Sequence, residues 1–403
     1  MSHAHSFELA PPPARLALPP MVRALAALAA VIGAGTLAWL FNAGDLNRAW
    51  SAYLIGCVFT LGLGVFSVAW LAILNLSGAT WSVTMRRVPE AMTAWLVPGG
   101  ILAMGVGLGA HSLYEWSHAE AVAADPLLLH KAPFLNMPMF WALVGASVVV
   151  WMAFGRLLAG ASYRQDVEGG MALTRQRRTM SAVFLVIFAL TLSIVAFYFL
   201  MSLEPHWFST MMAVLVFTDI MQTGTAFVAV VAGLLIASRT LPGFLNEHHL
   251  HSLGKMVFAW TGFWAYIYFC QFMLIWYANI PEETTYFLRR SSEGWLTYLL
   301  VLPMVKFVVP FMLLLPREAK RTARRLVPVA ALILLAQFWE LYLMVVPAVS
   351  HGDGARPALP ILELVVTLGF LGAFTLVFGS ELARHDAVPL KDPSLVECLS
   401  YQS

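Results

Sequence analysis

Long apolar runs separated by short polar connections dominate the chain. Ten of them match the roughly 20 residues that a helix needs to cross the hydrocarbon core of a bilayer. They cover residues 21–41, 50–76, 90–113, 138–160, 180–203, 209–238, 250–280, 295–315, 326–347 and 358–381. The pattern predicts an all-α membrane protein with ten transmembrane helices. Unequal run lengths predict that some helices tilt or protrude. No connection is long enough to fold as a soluble domain of its own. The chain therefore divides into an N-terminal tail, 1–20, a transmembrane domain, 21–381, and a C-terminal tail, 382–403. Short connections favour antiparallel neighbours packed as up-and-down bundles.

Basic residues orient these spans. With the N-terminus inside, 18 of the 24 Lys and Arg residues fall in cytoplasmic segments or at their edges, five fall outside, and Lys306 lies within a span. The positive-inside rule then predicts that both ends are cytoplasmic in a multi-pass protein of a bacterial inner membrane. Two outer loops, 114–136 and 281–294, are longer than the rest. Both mix acids, bases and aromatics, which suits a docking surface and equally an ordinary solvated loop.

Composition narrows the classes further. The chain is 60% hydrophobic and 11% charged, against about 25% charged in soluble domains, so apolar surface must face lipid. A net charge of +2 gives no broad basic field for nucleic acid. Cys57, Cys270 and Cys398 are isolated, which supports neither an iron–sulfur site nor a disulfide framework. The start of the chain, through PPPARLALPP, lacks the charged start and small-residue cleavage site of a signal peptide.

Charges at membrane depth are costly and usually face a bundle interior or a wet cavity. Three stand out: Asp219 in FTDIMQTG, Lys306 in LPMVKFVVPF and Glu340 in QFWELYLM. Asp219 and Lys306 are expected at one depth, with Glu340 nearer the outer face as an exit. Either they form a static ion pair that sets helix packing, or they form a protonatable route. Pro303 and Pro310 bracket Lys306 and remove the donors that would pair with the carbonyls of Leu299 and Lys306. Such carbonyls need water, side chains or neighbouring helices. Pro98-Gly99-Gly100 predicts a packing kink in helix three.

Helix seven carries an aromatic wall in which Trp264, Tyr268 and Gln271 are weak candidates for a quinone pocket. Aromatic packing and interfacial anchoring account for most of the wall. At its cytoplasmic mouth, His248, His249 and His251 suggest a solvated, titratable entrance rather than a metal site. All eleven histidines lie in tails, loops or helix ends, so paired axial ligands for a b-type haem are not expected inside the helices. No catalytic residue, metal or cofactor is expected in this chain alone.

Four segments carry a resemblance: LYEWSHAEAVAADPLLLHKAPFLNMP, HLHSLGKMVFAWTGFWAYIYFCQFMLIWYANIPEET, FWELYLMVVP and VPLKDPSLVECLSYQS. Together they resemble the ActF-type, NrfD-like membrane subunit of alternative complex III. Near residue 340 the family pattern has His and Asp, as in HxxDLYW, where this chain has Gln337 and Glu340. The acid is kept in kind and the histidine is lost. The resemblance implies a cofactor-free subunit of a respiratory quinol oxidoreductase that passes electrons to cytochrome c or an oxidase. It implies as partners a larger NrfD-like quinol-binding subunit, a periplasmic iron–sulfur subunit, multihaem cytochrome c subunits and a terminal oxidase, within membrane lipids. It implies two four-helix bundles, helices two to five and six to nine, with helices one and ten outside, and a part in proton movement.

Two other classes fit the same residues. A secondary transporter would also carry midplane charges and broken helices, and would show an inverted repeat, which is not seen by eye. A quinol-binding anchor would need an electron acceptor in a partner chain. The purified subunit is expected to show no stoichiometric visible absorbance band; a haem, flavin or cluster band would overturn this reading.

Overall fold

The computed structural model describes residues 15–292, 294–350, 357 and 359–403. Most of the tail 1–20 lies outside the described residues, as do His351 and Arg356. The described chain is all-α, with ten helices long and apolar enough to cross a membrane. They are α1 Pro20–Asn42, α2 Leu46–Ser77, α3 Arg87–Leu113, α4 Met137–Glu168, α5 Ala172–Leu203, α6 Met211–Ala237, α7 Glu247–Ala278, α8 Trp295–Leu314, α9 Ala323–Val349 and α10 Ile361–Leu382. Local chemistry sets several ends. Asp45 and Asn136 accept the backbone N–H of Arg48 and Met139 at the starts of α2 and α4, and Asn246 and His249 form a capping box on α7. These contacts satisfy donors that a helix start leaves unpaired. Gly78 and Asn279 close α2 and α7 in the left-handed conformation.

The helices form two four-membered rings. In one, α2 packs on α3 and α5, and α4 packs on the same two. In the other, α6 packs on α7 and α9, and α8 packs on the same two. The two bundles expected from the family resemblance are therefore present. Helix α2 touches α6 and α9 as well, so it joins the bundles, and its middle is buried on nearly all sides. Helices α1 and α10 pair outside, with α10 seated on α2. Their contact is close because Gly33 meets Gly369: a Cβ on Gly33 would lie 2.5 Å from the Gly369 Cα. Small residues that let backbones approach are a common way to join helices in lipid, where apolar burial alone provides little drive.

Two helices, α3 and α8, are irregular beside prolines. In α3 the stretch Leu96–Gly105 stays α-helical across Pro98-Gly99-Gly100. Two 3₁₀ turns flank it, at Thr93–Trp95 and at Val106–Gly109; the first fits Pro98, which cannot donate to the carbonyl four residues back, at Ala94. In α8 a π-turn, Met304–Val308, separates Trp295–Pro303 from Val309–Leu314.

The connections are less solvated than the sequence suggests. Residues 114–136 contain the short helices Ala119–Ala124 and Pro126–Lys131 and bury Tyr114, Trp116, Leu128 and Leu135. Pro281–Ser291 is helical and buries Tyr286 and Arg290. Arg290 donates to the carbonyls of Leu343 and Met344 at 2.8 and 2.9 Å and pairs with Glu204 at 2.7 Å. The C-terminal segment is no free tail. It folds back under the bundles and buries Ala387, Val388, Leu395 and Cys398.

The glycine contact gives a stability test. Gly33→Leu is expected to separate α1 from α10 and to lower stability by about 1–3 kcal/mol, the usual cost of overpacking. Thermal unfolding of the detergent-solubilised protein measures it, and an unchanged midpoint would count against a tight α1–α10 seam. Gly35→Leu is the control, since a Cβ there meets nothing within 4 Å.

Candidate functional site

The second bundle closes around one lysine. Lys306 is fully buried at the π-turn of α8. Its Nζ donates to Asp219 Oδ1 of α6 at 2.7 Å, to Gln337 Oε1 of α9 at 2.5 Å, and to Glu340 Oε2 of α9. An ammonium group has three donors, and all three are used. Helix α7 supplies the fourth wall. Trp264 donates its indole N–H to Glu340 Oε1 at 3.2 Å and presents its ring to Lys306 Nζ, 4.8 Å from the centroid.

Backbone irregularity and the site are one feature. Pro310 has no N–H for the Lys306 carbonyl, and that carbonyl instead accepts from Gln222 Nε2 at 3.2 Å. The same Nε2 donates to Thr261 Oγ1 at 3.1 Å. Thr223 donates to Gln337 Oε1 at 3.0 Å. A lone π-turn inside an α-helix commonly marks a functional position; here it aims the lysine at three acceptors. The expected role for freed carbonyls at α8 is met by a side chain at Lys306.

Glu340 does not lie apart as an exit nearer the outer face. Counted from the helix ends on the face away from the chain termini, Asp219, Lys306 and Glu340 are eight, eleven and nine residues in. At about 1.5 Å per residue these positions differ by only about 5 Å, which the long lysine side chain spans. All three are buried, as is Gln337. Gln337 stands where the resembled pattern has histidine, and it holds Lys306 through an amide that does not titrate. Asp219, Thr223 and Gln337 also line a cavity with Val58, Phe59, Gly62 and Leu341. It leaves about 20 Å³ for the centre of a water-sized sphere, enough for about one water.

A comparison with known protein families finds no family model that matches this chain, and no curated protein matches it.

The aromatic wall divides. Trp264 is engaged by the charge cluster, and Tyr268 stacks on Trp264 with centroids 4.9 Å apart. Gln271, two turns further along α7, is buried with neither amide atom partnered among the described residues. Those atoms are left for water or a polar guest. The three quinone candidates thus line up along one face of α7, with only Gln271 unengaged.

The histidine entrance is closed. His249 is fully buried, and its Nε2 lies 3.1 Å from the Cys398 carbonyl. His248 Nδ1 accepts the Ser403 N–H at 3.1 Å, and His251 Nδ1 lies 3.0 Å from Ser403 Oγ. Apolar burial of Leu395 and Cys398 draws the C-terminal segment over this mouth, which the sequence read as open solvent. Among the described residues no group of three or more His, Cys, Asp and Glu side chains is placed to hold a metal ion.

A second charged group escaped the sequence reading. Arg87 pairs with Glu90 at 2.6 Å and with Asp166. Arg86 and Arg177 both reach Asp392 of the C-terminal segment, at 2.6 and 3.1 Å. Burial pushes the Asp392 carboxyl up, but Arg86, the Ser394 N–H and Arg177 together hold it below the ordinary carboxylate value. In the sequence these arginines look like ordinary members of the inside-positive loops. Only the fold shows that they clamp the C-terminal segment.

Lys306→Met leaves two buried carboxyl groups facing each other without their cation. The expected loss is about 3–5 kcal/mol, the cost of breaking a buried pair, read from thermal or denaturant unfolding in detergent. Adding Asp219→Asn and Glu340→Gln is expected to restore most of it. A single Lys306→Met variant as stable as the parent would show that the cluster is not held together by charge.

Proposed function

We propose that this chain is a proton-handling membrane subunit, and that Asp219, Lys306 and Glu340 are the group that takes up and gives back the proton. The observation that carries this reading is charge balance. Two carboxyl groups and one ammonium group meet in one buried site, so full ionisation leaves a net negative charge there. A buried uncompensated charge is costly, and one added proton removes it. The cluster therefore has a place for one exchangeable proton beside a cavity with room for about one water. Thr223, Gln222 and Thr261 continue the polar lining on one side. The unpartnered amide of Gln271 offers a water position on the other.

The resemblance of helix seven and of the segment near residue 340 supports reading this subunit as part of a quinol-oxidising respiratory assembly of the alternative complex III type. On this reading the quinol site, iron–sulfur clusters and haems belong to the partner subunits, and this chain couples to them through its membrane bundles. The basic bias supports a cytoplasmic position for the face carrying the chain termini, in a bacterial inner membrane. The solute-transporter alternative is less well supported, since the space beside Asp219 is water-sized.

Orientation is tested by thiol labelling from the periplasm. A cysteine placed in 116–130 is expected to react and one in 164–178 to stay protected; the reverse pattern would overturn the orientation. Proton handling is tested in the assembled complex in proteoliposomes. Glu340→Gln is expected to leave assembly and quinol oxidation in place while proton release per electron falls. If a normally assembled Glu340→Gln complex keeps both in full, the cluster serves packing alone.

A further inference from the structure

A second cavity lies at the lower ends of α3, α4 and α10, on the face that carries the chain termini. It measures about 380 Å³. Its polar lining includes Arg156 and Tyr163 of α4, Glu381 in the last turn of α10, and Arg384 and His385 just beyond. Its apolar lining includes Leu96, Val97 and Met152. We infer that this cavity binds the phosphate of an anionic phospholipid, with the acyl chains running along α3 and α4.

Charge is the first argument. Glu381 is already engaged, by Arg384 at 3.0 Å and by His385 at 3.2 Å. Arg156 has no carboxylate partner among the described residues, although it opens onto the same cavity from another helix. With Glu381 balanced by Arg384, the guanidinium of Arg156 remains to be matched. Phosphate suits it, because the planar guanidinium fork matches phosphate oxygens.

Depth and shape are the second argument. Arg156 lies twelve residues before the end of α4, and Arg384 lies two residues past the end of α10. The two cations therefore reach the cavity from different heights near the membrane boundary. The outer surface beside Arg156 is apolar, with Val149 and Leu157 exposed. A Cβ on Gly160 would meet nothing within 4 Å, so the wall is open there. A soluble anion gains nothing from Leu96, Val97 and Met152, whereas a lipid uses both halves of the lining. Basic pockets between helices at the cytoplasmic side are a recurrent site for acidic headgroups. Tyr163 is held by ring stacking on His385, with centroids 3.4 Å apart, so one wall is rigid before a ligand arrives.

The test uses the full chain in mild detergent, with phosphatidylglycerol, phosphatidylcholine or inorganic phosphate added and binding read by native mass spectrometry and thermal shift. Phosphatidylglycerol is expected to bind and to raise the midpoint. Arg156→Gln and Arg384→Gln are each expected to weaken that binding by about fivefold, the contribution of one basic residue near a charged headgroup. Arg175→Gln, which removes an exposed charge from the same face, is expected to leave it unchanged. Arg156 has no partner among the described residues, so its variant is expected to fold. Equal binding of phosphatidylcholine, an equal shift from inorganic phosphate, or undiminished binding by Arg156→Gln would each overturn the inference.

Discussion

The ammonium group of Lys306 organises the second bundle. A lysine without partners at that depth would be far too costly, and this one has three acceptors from α6 and α9 with an aromatic face from α7. Each of those helices is therefore held at a set height and rotation relative to α8. Apolar packing in lipid is permissive about register, because one leucine face fits against another in several ways. Three hydrogen bonds from one nitrogen are not permissive. The proline-bracketed π-turn of α8, the Gln222 contact to its freed carbonyl and the indole of Trp264 all surround that one group.

The first bundle is built on different terms. Its centre is α2, with small residues where neighbours approach: a Cβ on Gly56 would strike the ring of Phe370, and one on Gly64 would press on Leu96. Its largest charged cluster lies at one end, where Arg86, Arg87 and Arg177 meet Glu90, Asp166 and Asp392, while at the other end Arg48 of α2 pairs with the buried Glu363 of α10. The two halves thus differ in where the main charged cluster sits. One carries it at mid-depth in a sealed core, and the other carries it at a boundary, where it pins the end of the chain.

The ten spans were legible because each is a long apolar run, and the structure moves their ends by only a few residues in most cases. Asp219, Lys306 and Glu340 were legible because charge inside an apolar run is conspicuous. Their meeting point was not. Span ends read off the sequence, 209 for helix six and 347 for helix nine, made Glu340 look distant; the helices end at Met211 and Val349, which brings Asp219 and Glu340 to nearly the same height. Gln222, Thr223 and Thr261 carry no charge and were hidden among ordinary polar residues of helices. The histidines misled for a different reason. Exposure depends on what covers a segment, and the cover comes from far along the chain, at Cys398 and Ser403.

The π-turn at Met304–Val308 has a consequence for how this helix can vary. A helix is a screw, and one residue more or fewer rotates everything beyond it by about 100°. The wide turn works as a phase shifter between the two halves of α8. It lets the upper half pack on α9 while the lower half packs on both α7 and α9. Single-residue insertions or deletions elsewhere in α8 would swing one half out of phase with its neighbours. One made inside the turn would change the angle between the halves, and with it the direction in which the lysine points.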